Sequence, residues 1–275
     1  MKNRREVLFW ICLTVFIMSV SFMIGWWLKL EKNGDVYEQL QEMNKPIPTV
    51  TPTPTEDVKL PSSSENIEPT LAPTKEPEVI KPVVEIPIAF DSLQKVNDEI
   101  YAWIRIPGTK VDYPILQRAS DDDYYLNHTV NGKRGYPGSI YTESLNQKNF
   151  QDRNTVIYGH NMKSGKMFGT LHKYKNAEYM KEHSEIIIYT PEHIYTYEVF
   201  CAVTYDNRHL LYSFDFTEES GMQQFLDSIA SIRNMSSFVN EDVTVTSSDR
   251  IITLSTCVGN KGKRFFVGAV LVDEQ

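Results

Sequence analysis

The chain has 275 residues, with 28 Lys and Arg against 36 Asp and Glu, which gives a net charge of −8 at neutral pH. This length accommodates one domain of ordinary size plus additional segments, and an acidic chain without a basic stripe argues against nucleic-acid binding. The three cysteines, Cys12, Cys201 and Cys257, have neither disulfide-framework nor zinc-site spacing, and we expect no metal and no cofactor.

The first predicted element is a membrane-spanning helix over residues 7–28, an apolar run without a charged residue. A span needs about 20 such residues, and this run lacks the small-x-small cleavage site of a secretory signal peptide. Lys2, Arg4 and Arg5 precede the run, which places residues 1–6 in the cytoplasm by the positive-inside rule. We therefore predict a single-pass type II protein of the cell membrane, with its remaining residues outside the cell.

An extracellular stalk rich in Pro, Thr and Glu is predicted over residues 29–89. Its first part, 31–45, has the composition to continue as a short helix, whereas residues 46–87 hold ten of the chain's 14 prolines. Such a composition favours extended, solvated chain over a packed core. The predicted folded domain then occupies residues 90–275.

Strand patterns dominate this domain. Strands are predicted at residues 100–106, 111–116, 138–142, 155–160, 185–189, 194–205, 249–257 and 264–272. Helical segments are predicted at 91–99, 168–175 and 217–233, the last with apolar residues at i, i+3, i+4 and i+7. Many strands and few helices predict a mainly β, mainly antiparallel barrel.

The candidate catalytic residues lie at strand ends. Cys257 ends one predicted strand, and Arg264 opens the next after a glycine-containing turn. His160 ends another predicted strand. A cysteine becomes a nucleophile when a nearby base or positive charge favours its thiolate. Taken alone, the cysteine is most simply a packed thiol, the histidine a structural residue and the arginine a solvated charge; their joint placement favours a catalytic site. Strand alternation adds Ser255 and Tyr158 as candidate substrate contacts.

Three separated motifs resemble those of the sortases, the cysteine transpeptidases that attach proteins to Gram-positive cell walls or polymerise pilins. They are Tyr158-Gly-His160, Thr253-Leu-Ser-Thr-Cys257 and the arginine that follows at Arg264. The run from Asn154 to Tyr174 most resembles class B. The resemblance implies an eight-stranded barrel with a helix before the cysteine strand. It also implies Cys257, His160 and Arg264 as catalytic residues, and, from the Tyr-Tyr-Leu-Asn-His segment, Leu126 and Asn127 in the substrate groove.

The function that the resemblance implies is that of a hydrolase/acyltransferase of the cysteine peptidase type. Its donor would be a surface protein with a C-terminal sorting signal of the Leu/Asn-Pro-x-Thr-Gly/Asn type, and its acceptor an amine on a peptidoglycan precursor or a pilin. Without the resemblance, the residues predict only a cysteine acyltransferase or hydrolase. A cell-wall cysteine peptidase and a non-catalytic surface binding module therefore stay open as alternatives.

Overall fold

A computed structural model describes residues 2–45, 84–232, 237–259 and 262–275. Its helices are α1 (Lys2–Met43), α2 (Phe90–Val96), α3 (Ala177–Glu182), α4 (Leu210–Ser213) and α5 (Glu219–Ala230), with 3-10 turns at Tyr124–Leu126 and Gly169–Lys175. Its strands are β1 (Ile100–Arg105), β2 (Asp112–Leu116), β3 (Ile140–Thr142), β4 (Asn154–Tyr158), β5 (Glu185–Tyr189), β6 (Ile194–Asp206), β7 (Phe238–Val239), β8 (Ile251–Cys257) and β9 (Lys263–Glu274).

Eight strands close into a barrel, in the order β5-β1-β2-β3-β4-β8-β9-β6, and the β5–β6 pairing completes the ring. The two-residue strand β7 pairs antiparallel with β6 at Cys201 and Ala202. The β2–β3 and β4–β8 pairs are parallel, and the other pairs of the ring are antiparallel. The predicted fold class, an eight-stranded barrel with few helices, is confirmed.

Strands β4, β6, β8 and β9 are apolar on both faces because α5 covers them from outside. Leu254 and Phe265 point into the barrel, whereas Phe266 points outward to a second core. Met222 and Phe225 of α5 are fully buried in that second core. A sheet with both faces covered carries near-continuous apolar runs, which is the pattern of these strands in the sequence.

The topology brings the predicted catalytic segments to one end of the barrel. In the parallel β4–β8 pair, Tyr158 lies opposite Ser255, and both strands end within the next residues. In the antiparallel β8–β9 pair, Cys257 lies opposite Arg264. The carboxyl ends of β4 and β8 therefore meet the amino end of β9 at the same edge.

Helix α1 contains one segment, Glu6–Trp26, that is long and apolar enough to cross a membrane. The helix then continues to Met43 and packs on the barrel, with Tyr37 and Leu40 buried. Residues 29–43 of the predicted stalk are thus helical, because the apolar side chains at this i, i+3 spacing find a surface on the barrel. Most of the predicted proline-rich stalk, residues 46–83, lies outside the described residues.

Candidate active site

Cys257 is the last residue of β8, and its side chain is exposed. Arg264, opposite it on β9, donates from Nη1 to the Cys257 sulfur at 3.4 Å. A guanidinium is charged at all physiological pH values, so this contact places a permanent positive charge beside the sulfur.

His160 lies two residues beyond the end of β4, in a loop that side-chain and backbone bonds tie to β8. The Gly159 N–H donates to the Ser255 carbonyl at 3.1 Å, and the Thr256 hydroxyl donates to the Gly159 carbonyl at 2.7 Å. A Cβ at position 159 would come within 2.5 Å of Ile140 and 2.6 Å of Phe168. Only glycine fits at position 159, because a side chain there would collide with Ile140 and Phe168. The bonds of Gly159 thus keep the two chain segments together beyond the ends of β4 and its pairing with β8.

The imidazole of His160 contacts the 3-10 turn that ends at Leu126 and lies near the ring of Tyr136. Its Nε2 lies 2.7 Å from the carbonyl oxygen of Leu126, and the ring of Tyr136 is 5.4 Å away, centroid to centroid. Because a carbonyl oxygen only accepts, the proton of a neutral His160 ring is on Nε2 in this arrangement. Nδ1 then carries the lone pair that can take up a proton.

A cavity of about 180 Å³ lies on the outer face of the barrel at this end. Six of the seven predicted site residues line it: Leu126, Tyr158, His160, Ser255, Cys257 and Arg264. The seventh, Asn127, does not; its side chain is exposed, and its backbone bonds to Tyr124 and Gly135. The 3-10 turn that ends at Leu126 directs only that residue into the cavity.

Two cavity residues, Glu143 and His209, had no motif in the sequence. Glu143 follows β3 and is nearly buried, and its carboxylate lies 2.7 Å from Nε2 of His209, just before α4. Burial raises the pKa of Glu143, against the opposing effects of His209 and of a hydrogen bond from Tyr158. This pair joins the α4 segment to the barrel beside Tyr158, and no local sequence signal links two residues so far apart.

Asn161 and His172 were also missed, and both contact the backbone of Cys257. Asn161 donates from Nδ2 to the Cys257 carbonyl oxygen at 2.9 Å, and Nε2 of His172 lies 2.8 Å from the same oxygen. His172 lies outside the Tyr-Gly-His motif, so no pattern in the sequence marked it.

The other two thiols differ from Cys257. Cys201 is fully buried under α5, and burial raises its pKa to about 12, so it stays a thiol at physiological pH. Cys12 lies in the apolar half of α1. Within the described residues, His, Cys, Asp and Glu side chains form no cluster of three that could hold a metal ion.

Comparison with known proteins identifies the family to which the fold belongs. A family model described as "Sortase domain" matches residues 104–272. Sortase B of Listeria monocytogenes is 36% identical over 165 residues, which are 60% of this chain and 65% of that relative, less than two thirds of its length. Sortase B of Staphylococcus aureus is 34% identical over 168 residues, which are 61% of this chain and 67% of that relative.

Solved structures give the same result. A Bacillus anthracis sortase B in complex with AAEK1 matches with a TM-score of 0.59 and 38% identity, over 67% of this chain and 84% of that one. A Staphylococcus aureus sortase B–substrate complex matches with a TM-score of 0.58 and 33% identity, again over 67% and 84%.

Proposed function

Because this chain belongs to the sortase family and is most similar to its class B members, we propose that it is a membrane-anchored cysteine transpeptidase. Its donor is a surface protein with a C-terminal sorting signal of the Leu/Asn-Pro-x-Thr-Gly/Asn type. Its acceptor is an amine of a peptidoglycan precursor or of a pilin. The observation that supports this most directly is the exposed Cys257 sulfur, 3.4 Å from the Arg264 guanidinium in a cavity that His160 also lines.

In the first half-reaction, the Cys257 sulfur attacks the carbonyl carbon of the scissile peptide bond. His160 takes up the thiol proton of Cys257, a C–S bond forms, the C–N bond breaks, and the same proton passes from His160 to the leaving amine. The donor's acyl group stays on Cys257 as a thioester. The Nδ1 atom of His160 performs the proton transfer, since Nε2 is held by the Leu126 carbonyl.

In the second half-reaction, the acceptor amine attacks the thioester carbon and gives a proton to His160. A new C–N bond forms, the Cys257 sulfur leaves as the thiolate, and His160 returns the proton to it. In both steps negative charge develops on the carbonyl oxygen, and the guanidinium of Arg264 supplies fixed donors to it. Loss of one such donor typically costs about 10²–10³ in rate.

The donor peptide occupies the cavity on the outer face of the barrel. Ser255 is on the Cys257 face of β8 and Tyr158 on the neighbouring strand, so both present hydroxyl groups to a peptide that reaches the sulfur. Leu126 supplies an apolar wall. Asn127 lies outside the cavity and is not part of this proposal.

The first half of α1 anchors the enzyme in the membrane, with its N-terminus in the cytoplasm and the barrel on the cell-wall side. The apolar segment Glu6–Trp26 supports the anchor, and the basic residues Lys2, Arg4 and Arg5 before it support the orientation. Protease added to wall-stripped cells should therefore remove the barrel, whereas protection of the barrel in intact cells would contradict this orientation.

The experiment for the activity uses the full chain in detergent micelles with a library of Pro-x-Thr peptides and an added amine. Mass spectrometry should detect peptides joined to the amine, and Cys257→Ala should abolish both cleavage and transfer. Cleavage without transfer, at any amine concentration, would instead favour a cysteine peptidase. A wild-type thiol that forms no acyl adduct with any donor would favour a binding module.

A further inference from the structure

The carbonyl oxygen of Cys257 accepts two side-chain hydrogen bonds from the segment that connects β4 to β5. Asn161, next to His160, donates from Nδ2 at 2.9 Å. His172, in the 3-10 turn Gly169–Lys175, approaches with Nε2 at 2.8 Å. Two donors from separate turns of one connection thus meet on the backbone of a single residue.

From this geometry we infer that Asn161 and His172 are positioning residues, which set the direction of the Cys257 sulfur toward the scissile carbonyl by fixing the peptide plane of Cys257. This inference rests on the proposed function. Cys257 is the last residue of β8, so the sheet no longer fixes the backbone after it. The sulfur is exposed, and its direction follows from the orientation of its own backbone.

His172 is held as a rigid donor. Its ring stacks on Phe265, with centroids 4.9 Å apart and planes at 23°. Burial lowers the pKa of His172, and the charge of Lys175 lowers it further, so the ring is neutral at physiological pH. A neutral imidazole has one N–H, and the contact with a carbonyl oxygen assigns that proton to Nε2.

Asn161 connects the nucleophile to the acid–base residue. The β4–β8 pairing ends at Tyr158 and Ser255, and Gly159 continues it by the bonds to Ser255 and Thr256. The Asn161 bond to the Cys257 carbonyl is the next contact along the same two segments. His160 lies between these contacts, so the bond from Asn161 holds its loop at a set distance from Cys257.

Substitutions of His172 separate its hydrogen bond to the Cys257 carbonyl from the packing of its ring on Phe265. His172→Phe keeps an aromatic ring on Phe265 and removes the donor, whereas His172→Gln keeps an N–H at the position of Nε2 and removes the ring. Asn161→Ala removes the second donor. The control is Lys173→Ala, an exposed neighbour in the same 3-10 turn.

Steady-state transfer by the full chain in micelles is the first measurement. We expect His172→Phe and Asn161→Ala to lower kcat roughly 10–100-fold, the range that follows from a misplacement of about 1 Å, with KM for the donor peptide changed less than about threefold. His172→Gln should recover most of kcat, and Lys173→Ala should match the wild type. Equal losses of kcat and thermal stability in the Phe and Gln variants would assign His172 to packing alone and overturn the inference.

A second measurement does not depend on catalysis. In the full chain labelled with ¹³C at cysteine carbonyls, the Cys257 resonance should move upfield in His172→Phe and in Asn161→Ala, because a carbonyl carbon is deshielded when its oxygen accepts hydrogen bonds. It should stay near the wild-type position in His172→Gln. An unchanged resonance in all variants would refute the two-donor contact, even if the wild type transferred no peptide, whereas absent wild-type transfer alone would refute only the proposed function.

Discussion

The thiols of Cys257 and Cys201 show how one residue type takes opposite chemistry from its surroundings. Cys257 is exposed beside a permanent positive charge, whereas Cys201 is enclosed by the apolar core under α5. Desolvation disfavours the thiolate, and a neighbouring cation favours it. Cys257 is therefore expected to be the more reactive of the two thiols.

Alkylation of the native protein at pH 8 tests this difference. We expect iodoacetamide to modify Cys257 within minutes and to leave Cys201 unmodified, because the pKa of Cys201 is raised to about 12 and its side chain is fully buried. Mass spectrometry of the two cysteine-containing peptides gives both rates in one sample, and unfolding in urea should make Cys201 reactive as the control. Similar native rates at the two sites would contradict the assignment.

Substitution of Arg264 tests whether its geometry or its charge matters. If the planar fork of donors is needed, Arg264→Lys should lose about 10²–10³ in transfer rate, nearly as much as Arg264→Ala, since an ammonium cannot reproduce the fork. Lys263→Ala, at the exposed neighbouring position, should be mild. The steady-state rate on one donor peptide is the measurement, and near wild-type activity in Arg264→Lys would leave Arg264 as a general electrostatic contributor.

The sequence predicted that two candidate site residues lie close together where they belong to strands that are adjacent in the chain. Cys257 and Arg264 face each other across one hairpin, so the turn between two strands already places them together. Asn161 and His172 act through the backbone of Cys257, and such contacts between a distant side chain and a carbonyl leave no pattern in the sequence.

At the scale of elements, the apolar periodicity of residues 217–233 correctly predicted α5, while α3, α4 and β7 were missed. All three are short: α3 packs Met180 into the barrel core, α4 lies against the barrel through the His209–Glu143 pair, and β7 pairs with β6. Elements of two to six residues are decided by tertiary contacts rather than by local propensity.

Shortening a buried side chain of α5 should show how much the second core, between α5 and the barrel, stabilises the fold. Phe225 is fully buried among aromatic side chains of this core, so Phe225→Ala should lower the free energy of unfolding by about 3–5 kcal/mol. Gln224→Ala, exposed on the same helix, should change it by less than about 0.5 kcal/mol. Urea denaturation measures both, and a small effect at Phe225 would mean that α5 packs more loosely than described.

A charged contact between Glu99, just before β1, and Arg118, just after β2, should make part of the stability depend on pH. Burial alone would raise the pKa of Glu99, but hydrogen bonds from Arg118, at 2.9 and 3.0 Å, and from Tyr125 together outweigh burial, so the net pKa lies below its usual value. A depressed carboxyl pKa stabilises the fold above the unfolded-state pKa of about 4.3 and loses that contribution as pH falls through the folded pKa.

The Glu99→Gln variant therefore should be less stable than the wild type at pH 7, by about 1–2 kcal/mol, and the gap should narrow at pH 3. Urea midpoints at the two pH values measure this, with Asp98→Asn as the exposed neighbouring control. A gap that is constant with pH would assign the effect to packing rather than to the charge.

At the scale of the whole molecule, α1 joins the apolar segment Glu6–Trp26 to the barrel without an intervening linker. Tyr37 donates its hydroxyl to the Gly138 carbonyl, and the Asn44 carbonyl accepts from Arg105 at 2.8 Å. The sequence predicted a helix followed by a stalk because prolines are visible in composition, whereas the docking of Tyr37 depends on a barrel surface that only the folded chain creates.

The end of α1 and the start of the barrel also meet. The Asn44 side-chain oxygen accepts from the Ala89 N–H at 2.9 Å, so the residues on either side of the proline-rich segment lie side by side. We therefore expect residues 46–83 to contribute little to the height of the barrel above the membrane. That height follows from the rise of α1 between Trp26 and Tyr37, about 16 Å at 1.5 Å per residue.

Two variants in liposomes test whether the packing of α1 on the barrel or the length of residues 46–83 sets the barrel's distance from the bilayer. Replacement of residues 46–83 by about ten Gly and Ser residues, which span roughly 18 Å on average, should leave the barrel's distance from the bilayer unchanged. Tyr37→Ala with Leu40→Ala should remove the docking and let the barrel move out on the proline-rich segment. Energy transfer from a dye on the barrel to a lipid dye should then fall only in the second variant, and the matched exposed pair Gln39→Ala with Glu42→Ala should retain it. If the short linker instead increased the transfer and the docking variant did not change it, residues 46–83 would set the height, and α1 would be an anchor alone.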